Sequence, residues 1–517
     1  MYKKLDLKLK RSKVYGPQTA FLIAAALLVF GPFPSMEHIA NWVYDCAIQI
    51  KLGLDGMASG HLITEEIYSW HEGLTFTAHE SGWYMILGFM YKYLGIWGIL
   101  IVCSFFTCTS AIAAVLYSRD RVHPLFIAVT LVLVRMMKCF PDYSARPGLS
   151  STLAFTVTII IMLSDRKPVI KAGVFTFFCL VLAWLHGGML PLYFVVYILF
   201  IVIELIYKNF KNAGITACGI LSGFAVSLLN PIGFGLWSYG LKQTSSSEAI
   251  SLIDEWKPLS FTIVQAVILL LVFIGFMVGN GVRDFEKKAI TRLALLCMFF
   301  ILACVYRRFV LFLTISLALF APEAYQDLAI WIRDNLFPKF PKTIKLSHGF
   351  YYLLTGIIAV MFAVAGVYYS GKYIKTNTMA DAEAMAAFDK GAADYVKETG
   401  YERIFNSFDT GSWLAYNGVK VHIDNRFDPY NSAFSGTDYL TGKMSITNLY
   451  ELDSFRYEYD CDAFLLDVNP VSCQLLNEIE IYASDRYEIV YDNTVTSVIP
   501  DRGSIRWVVI ECIDPQN

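Results

Sequence analysis

The 517-residue chain is poor in charge: Asp, Glu, Lys and Arg make up 17% of it, against about 25% in an ordinary soluble protein. With 42 basic and 44 acidic residues the net charge is −2, and nothing in that balance points to a nucleic-acid partner. The 11 cysteines form no Cys-x-x-Cys pair and no Cys/His metal spacing. Cys103, Cys108, Cys179, Cys218, Cys297 and Cys304 sit in apolar runs, where a thiol behaves as a small hydrophobe. Cys461, Cys473 and Cys512 are an odd number in the C-terminal part, so they cannot all be paired with one another. No nucleophile elbow, P-loop or Gly-x-Gly-x-x-Gly occurs, which leaves a familiar hydrolase or nucleotide-binding fold without support.

What the chain has in abundance is apolar length. Hydrophobic residues make up 56% and the mean hydropathy is +0.49. Runs of about twenty residues, enough to cross a bilayer at 1.5 Å per residue, fill positions 17–370. Spans are expected near 17–33, 96–117, 124–137, 148–164, 169–185, 190–207, 213–229, 259–280, 289–305, 308–320 and 347–370, about eleven in all. Lys3, Lys4, Lys8, Lys10, Arg11 and Lys13 hold the N-terminus in the cytoplasm, and the first span reads as a retained helix. The short basic connections then fall on the cytoplasmic side, and an amphipathic segment near 322–336 links the last two spans there. An odd count puts the C-terminal domain, residues 378–517, outside a cell membrane crossed by residues 1–371. The two large loops, 34–95 and 230–258, fall on the same outer face, where loops on a rigid base carry binding and catalysis.

Within the first loop, residues 35–50 read as a helix lying along the membrane. Ile39, Trp42, Val43, Cys46, Ala47 and Ile50 form its apolar stripe, with His38, Asn41, Asp45 and Gln49 opposite. Asp45 is then either part of a solvated polar face or a general base for an acceptor hydroxyl. Further on, His61, His71 and His79 lie among Glu65, Glu66, Glu72 and Glu80 with Tyr68, Trp70 and Trp83, a density that fits a polar substrate site. His71, His79, Glu72 and Glu80 could instead ligate a divalent metal, although they lack the i, i+4 spacing of a zincin pair; no cofactor is expected.

Other polar marks stand on the apolar body. Arg146, in Tyr143-Ser144-Ala145-Arg146-Pro147-Gly148, either anchors a helix end or binds an anion. His186, in Trp184-Leu185-His186-Gly187-Gly188, is either a buried hydrogen-bonded group or a substrate contact. Asn230-Pro231-Ile232-Gly233 opens the second loop and Asp254-Glu255-Trp256 closes it. Arg307-Arg308, two guanidinium groups between apolar runs, must reach water, a carboxylate or a phosphate: a lipid-linked phosphate, Asp45 or Glu255.

The C-terminal part reads as a small α/β domain. A helix ends at Gly400, strand-like runs follow at 403–408, 419–424, 461–467, 487–491, 495–499 and 506–511, and a helix lies near 472–483. Its central feature runs from Phe408-Asp409-Thr410-Gly411-Ser412-Trp413 to Asp424-Asn425-Arg426-Phe427-Asp428. Asp424, Arg426 and Asp428 alternate, as either a structural ion network or one functional face. The short link from Gly371 to Thr378 lacks the composition of a free tether, so the domain is expected to dock on the outer loops with Trp413 to Tyr430 facing Glu80.

These motifs, taken in order, resemble a family of bacterial polytopic proteins with a GT-C glycosyltransferase-like body and a C-terminal extracytoplasmic α/β domain. The resemblance implies a polyprenyl-phosphate sugar donor, an envelope glycan or lipid acceptor, and a carboxylate base in the first outer loop. By position that base is Asp45, with Glu80 the second choice. His79, Arg146, His186, Glu255, Arg307, Arg308, Trp413, Asp424 and Arg426 are the candidate substrate contacts. The chain departs from several GT-C enzymes in having no Asp-Asp or Asp-Glu pair after its first span, so a non-catalytic protein that binds or helps assemble a glycolipid or envelope polymer stays as the second reading. No repeat or pair of broken helices speaks for a transporter.

Overall fold

In a bilayer every backbone N–H and C=O must be satisfied within the chain, and apolar runs of this length answer by forming helices. The computed structural model describes residues 16–31, 39–136, 145–245, 252–339, 347–468 and 470–513. His38, Tyr143, Ser144 and the N-terminal basic cluster lie outside the described residues. Among the described residues six helices are long and apolar enough to cross a membrane: Ser81–Ser118, Pro168–Leu185, Gly187–Ile206, Lys287–Val305, Arg307–Leu336 and His348–Tyr373. Shorter apolar helices, Gly16–Phe30, Pro124–Met136, Gly148–Leu163 and Ile263–Val278, stand where further spans are expected. The chain is a multi-pass helical membrane protein with a small C-terminal sheet.

Two expectations are corrected here. The segment 322–336 is no separate amphipathic piece: the helix Val310–Leu336 runs straight through it, carrying Pro322 in its interior. The surface helix expected over 35–50 is split, with a 3-10 turn through Ile39–Val43 and an α-helix, Cys46–Ser59, that begins only after Asp45. Its apolar stripe is nonetheless buried, from Ile39 and Val43 to Ile50. What covers it is protein: this helix packs against the helix starting at Ser81 and against Phe408–Tyr416 of the C-terminal part.

Gly95 breaks Ser81–Ser118 into two helices, with φ 62° and ψ −145°, a conformation open to glycine. The backbone groups freed by the break are recaptured by Asn377, just past the last long helix. Its carbonyl accepts from Ile96 N–H at 3.3 Å, its Oδ1 from Trp97 N–H at 3.2 Å, and its Nδ2 donates to the Leu94 carbonyl at 3.0 Å. Asp381 in turn accepts from the backbone N–H groups of Lys375, Thr376 and Asn377. The link into the C-terminal part is thus bonded along its length.

The sheet of that part has the order β1-β2-β4-β3, with β1 Ile404–Asn406, β2 Ala463–Val468, β3 Tyr487–Thr496 and β4 Ser504–Cys512. β1 pairs parallel with β2, and the other pairs are antiparallel. The runs 487–491 and 495–499 fall largely on one bulged strand, β3. The run 419–424 is not in the sheet at all and makes a single parallel bridge, Val421 with Ser69 of the first loop. One hydrophobic cluster joins Trp42, Trp83 and Leu87 of the loop region to Met385, Trp413 and Trp507 of the C-terminal part. The domain therefore packs on the loop through a shared core, and burying each such aromatic contributes roughly 1.5–3 kcal/mol.

Candidate functional site

Four chain turns meet on the face of the helical body that bears the C-terminal domain. Asp45 precedes the helix Cys46–Ser59, Arg146 lies just before Gly148–Leu163, Glu255 sits in the 3-10 turn Asp254–Trp256, and Arg307 and Arg308 open the turn Arg307–Phe309. A cation at a helix N-terminus is opposed by the helix dipole, so Arg146 needs carboxylates. It has two. Its Nε donates to Asp45 Oδ2 at 2.8 Å, its Nη2 also reaches Asp45, and its Nη1 pairs with Glu255. Burial of the guanidinium is outweighed by these partners, which hold its charge more firmly than usual.

Glu255 is likewise subject to burial, but Arg146, Arg308 and Arg307 outweigh it and hold the carboxyl below its ordinary range. The Asn425 side-chain amide, from the C-terminal part, lies 3.3 Å from Asp45 Oδ1. The Arg308 guanidinium rests over the Trp256 ring at 4.4 Å, a cation–π contact. The Arg307 N–H donates to the Lys257 carbonyl at 2.9 Å, and that residue is exposed. Half-exposed carboxylates bridged by one guanidinium, with further cations beside them, can bind an anion and hold a proton acceptor next to it.

Behind this group lies a buried one. The Glu80 Oε1 is 3.4 Å from His79 Nε2 and 4.0 Å from His186 Nε2, and Tyr84 donates its hydroxyl to Glu80 Oε2 at 3.3 Å. Burial disfavours the His79 imidazolium, yet the Glu80 and Asp428 charges outweigh it and raise its pKa. Glu80 is pushed up by burial and pulled down further by His79, so its carboxyl lies below the usual range. Burial drives His186 down to about 4; it stands neutral, with Nδ1 2.7 Å from the Ser151 hydroxyl. Gly148, two residues past Arg146, packs beside this ring, since a Cβ there would lie 3.9 Å from the His186 Cε1.

Asp428 enters the same pocket from the C-terminal part. Its Oδ2 accepts from Thr77 N–H at 3.2 Å, Oδ1 is buried without a partner, and burial pushes its pKa up to about 7. His79 stacks on Tyr239 of the second loop with ring centroids 3.9 Å apart. Sequence reasoning missed Tyr239 and Asn425, and it gave Asp428 no role beyond the alternating charges. No local signal marks them, because their partners lie 160 to 380 positions away.

The remaining candidates are placed differently. Trp413 is fully buried, with Nε1 donating to Glu383 Oε1 at 2.9 Å and its ring against Phe388 and Trp507; its aromatic surface is spent on the core, and it offers no stacking face. Asp424 and Arg426 are drawn into an ion network at the loop. They pair with each other, and Arg426 also binds Glu66 of the first loop at 2.5 Å, all three nearly inaccessible. Tyr430 donates to Asp424 at 2.8 Å, and Glu66 accepts from the N–H groups of Tyr68 and Ser69. This is a staple between the loop and the C-terminal part. His71 pairs with His422 at 2.8 Å and not with Glu72; burial holds its pKa near 3. Among the described residues no group of three His, Cys, Asp or Glu side chains converges as metal ligands.

No family model matches this sequence, and no curated protein matches it. Solved structures do. The oligosaccharyltransferase of Archaeoglobus fulgidus in its apo form is 12% identical over 88% of this chain and 70% of its own, with a TM-score of 0.50. The same organism's AglB, in complex with an inhibitory peptide and a dolichol-phosphate, is 12% identical over 90% of this chain and 70% of its own, also at 0.50. ArnT from Cupriavidus metallidurans, bound to undecaprenyl phosphate, is 12% identical over 95% and 97%, at 0.48. At these identities the archaeal enzyme shows a shared fold, and the body of this chain is GT-C-like.

Proposed function

We propose that the protein is a membrane glycosyltransferase that moves a sugar from a polyprenyl-phosphate donor to an envelope acceptor (a glycan, lipid or protein) on the outer face of the cell membrane. The observation that carries this reading is the Asp45–Arg146–Glu255 bridge, with Arg308 and Arg307 beside it, on a GT-C-like body. The archaeal enzyme of the same fold was solved with a dolichol-phosphate, a ligand of the donor's chemistry. In the proposed step an acceptor hydroxyl oxygen bonds to the anomeric carbon as the bond from that carbon to the phosphate oxygen breaks. The hydroxyl proton passes to Asp45. The electron pair leaves with the polyprenyl phosphate, whose charge Arg307 and Arg308 stabilise. Glu80 with His79 and His186 form the polar wall behind Asp45. No metal or nucleotide is assigned a part.

A second reading draws on the same bridge. A carboxylate whose Oδ2 is already clasped by Arg146 is less open to an acceptor hydroxyl, which favours a non-catalytic protein that binds a glycolipid. Titration of purified protein with polyprenyl phosphate tests what the two share: replacing Arg307 and Arg308 together with Ala is expected to weaken binding about tenfold to a hundredfold. Unchanged binding would remove the guanidinium pair from any phosphate contact.

A further inference from the structure

An open cleft of about 770 Å³ lies between the first loop and the C-terminal part. Trp70 and His71 from the loop line it together with Tyr401 and Tyr459. Trp70 is held in place by its indole N–H, which donates to the Ile404 carbonyl at 2.9 Å, and by its backbone N–H to the Val421 carbonyl at 3.2 Å. The ring lies tilted against His71, centroids 3.9 Å apart, and His71 is neutral.

The rim carries both signs of charge. Arg403 lies 3.3 Å from Asp460, and Glu458 is paired with Lys443. Glu72, Glu402, Lys397 and Lys420 also line the opening, and among the described residues neither Glu72, Glu402 nor Lys420 makes an ion pair. A polyanion or polycation would meet as much repulsion as attraction there. A neutral, hydroxyl-rich ligand meets neither: its C–H faces lie on aromatic rings, and its hydroxyls donate to carboxylates and accept from ammonium groups.

We propose that this cleft binds a neutral glycan chain, the acceptor or its extended product, and the proposal rests on the glycosyltransferase reading above for the ligand's role though not for its chemistry. The placement suits a guide to the site. Lys420 stands on the cleft and Asn425 beside Asp45, and the extended run between them spans at most about 18 Å. A chain held at Trp70 would lead its end toward Asp45.

The test is calorimetric titration of the full protein in detergent with neutral gluco-, manno- and N-acetylglucosamine oligosaccharides. At least one series is expected to bind, with affinity rising with chain length. Glu72→Ala and Lys420→Ala, both at exposed positions, are expected to weaken it about tenfold together, while Gly214→Ala, with nothing within 4 Å of the added Cβ, leaves it unchanged. Absence of binding by every series, binding that ignores the two rim substitutions, or capture of a charged peptide in place of the sugars would overturn the proposal. Sugar transfer without oligosaccharide binding sinks the cleft and spares the enzyme reading; oligosaccharide binding without transfer does the reverse.

Discussion

At the scale of single residues the account turns on which buried charges have partners. Asp428 has half a partner: one carboxylate oxygen accepts from Thr77 and the other has none. Its pKa near 7 in the folded protein lies above the ordinary value of about 3.9. A carboxyl raised in this way contributes stability that is fully present below about pH 4 and is lost as pH rises through about 7. The groups that face it are His79, Arg426 and Asp424, with Glu80 and Tyr239 beyond. Asp428→Asn removes the ionisation, so the variant is expected to melt with the parent at pH 4 to 5 and to melt above it at pH 8. A melting difference between variant and parent that does not grow with pH would show that Asp428 titrates normally.

At the scale of elements, the helix carrying Asp45 and the one that starts after Glu80 are held in register by two glycines. A Cβ on Gly53 would fall on the Tyr84 carbonyl, and one on Gly88 would fall on the Gly53 backbone. Gly53→Val forces the pair apart, with an expected cost of about 1–3 kcal/mol and a shift of Asp45 relative to Glu80. Gly214→Ala, with nothing within 4 Å of the added Cβ, serves as the control and should leave thermal unfolding and phosphate-lipid binding as they were. This contact also shows what a sequence can tell. The long helices and the apolar stripe from Ile39 to Ile50 are legible because hydropathy and periodicity are local properties. The alternation Val419 to Asp424 reads as a sheet strand for the same reason, yet its hydrogen-bonding partners are Tyr68 and Trp70, which no local pattern reveals. Trp413 reads as an exposed ring beside glycine and serine; it becomes core because helix Phe408–Tyr416 is covered on one side by the sheet and on the other by Cys46–Ser59. Asp45, Arg146 and Glu255 each stand out singly as charges at span ends, but their pairing joins segments about a hundred positions apart.

At the scale of the whole molecule, the C-terminal part and the first loop act as one wall of the site, closed by the Glu66–Arg426–Asp424 staple. Removing the cation strands two buried carboxylates, a loss of roughly 3–5 kcal/mol when one partner of such a pair is deleted. Arg426→Met is therefore expected to loosen the C-terminal part from the loop: protease sites between 419 and 430 should open while the long helices stay intact. Cleavage kinetics equal to the parent's would mean that the shared hydrophobic core holds the docking without the staple.

Whether the arrangement around Asp45 performs the proposed sugar transfer from a lipid phosphate is tested by transfer assays on purified protein with polyprenyl-phosphate sugars, parent against Asp45→Asn. Asn keeps the shape and part of the hydrogen bonding to Arg146 while removing the proton acceptor. Turnover in the parent and a fall of about a hundredfold to ten-thousandfold in the variant, with polyprenyl-phosphate binding retained, is the expected result. Equal turnover in both proteins, or turnover in neither while both bind the lipid, would contradict it.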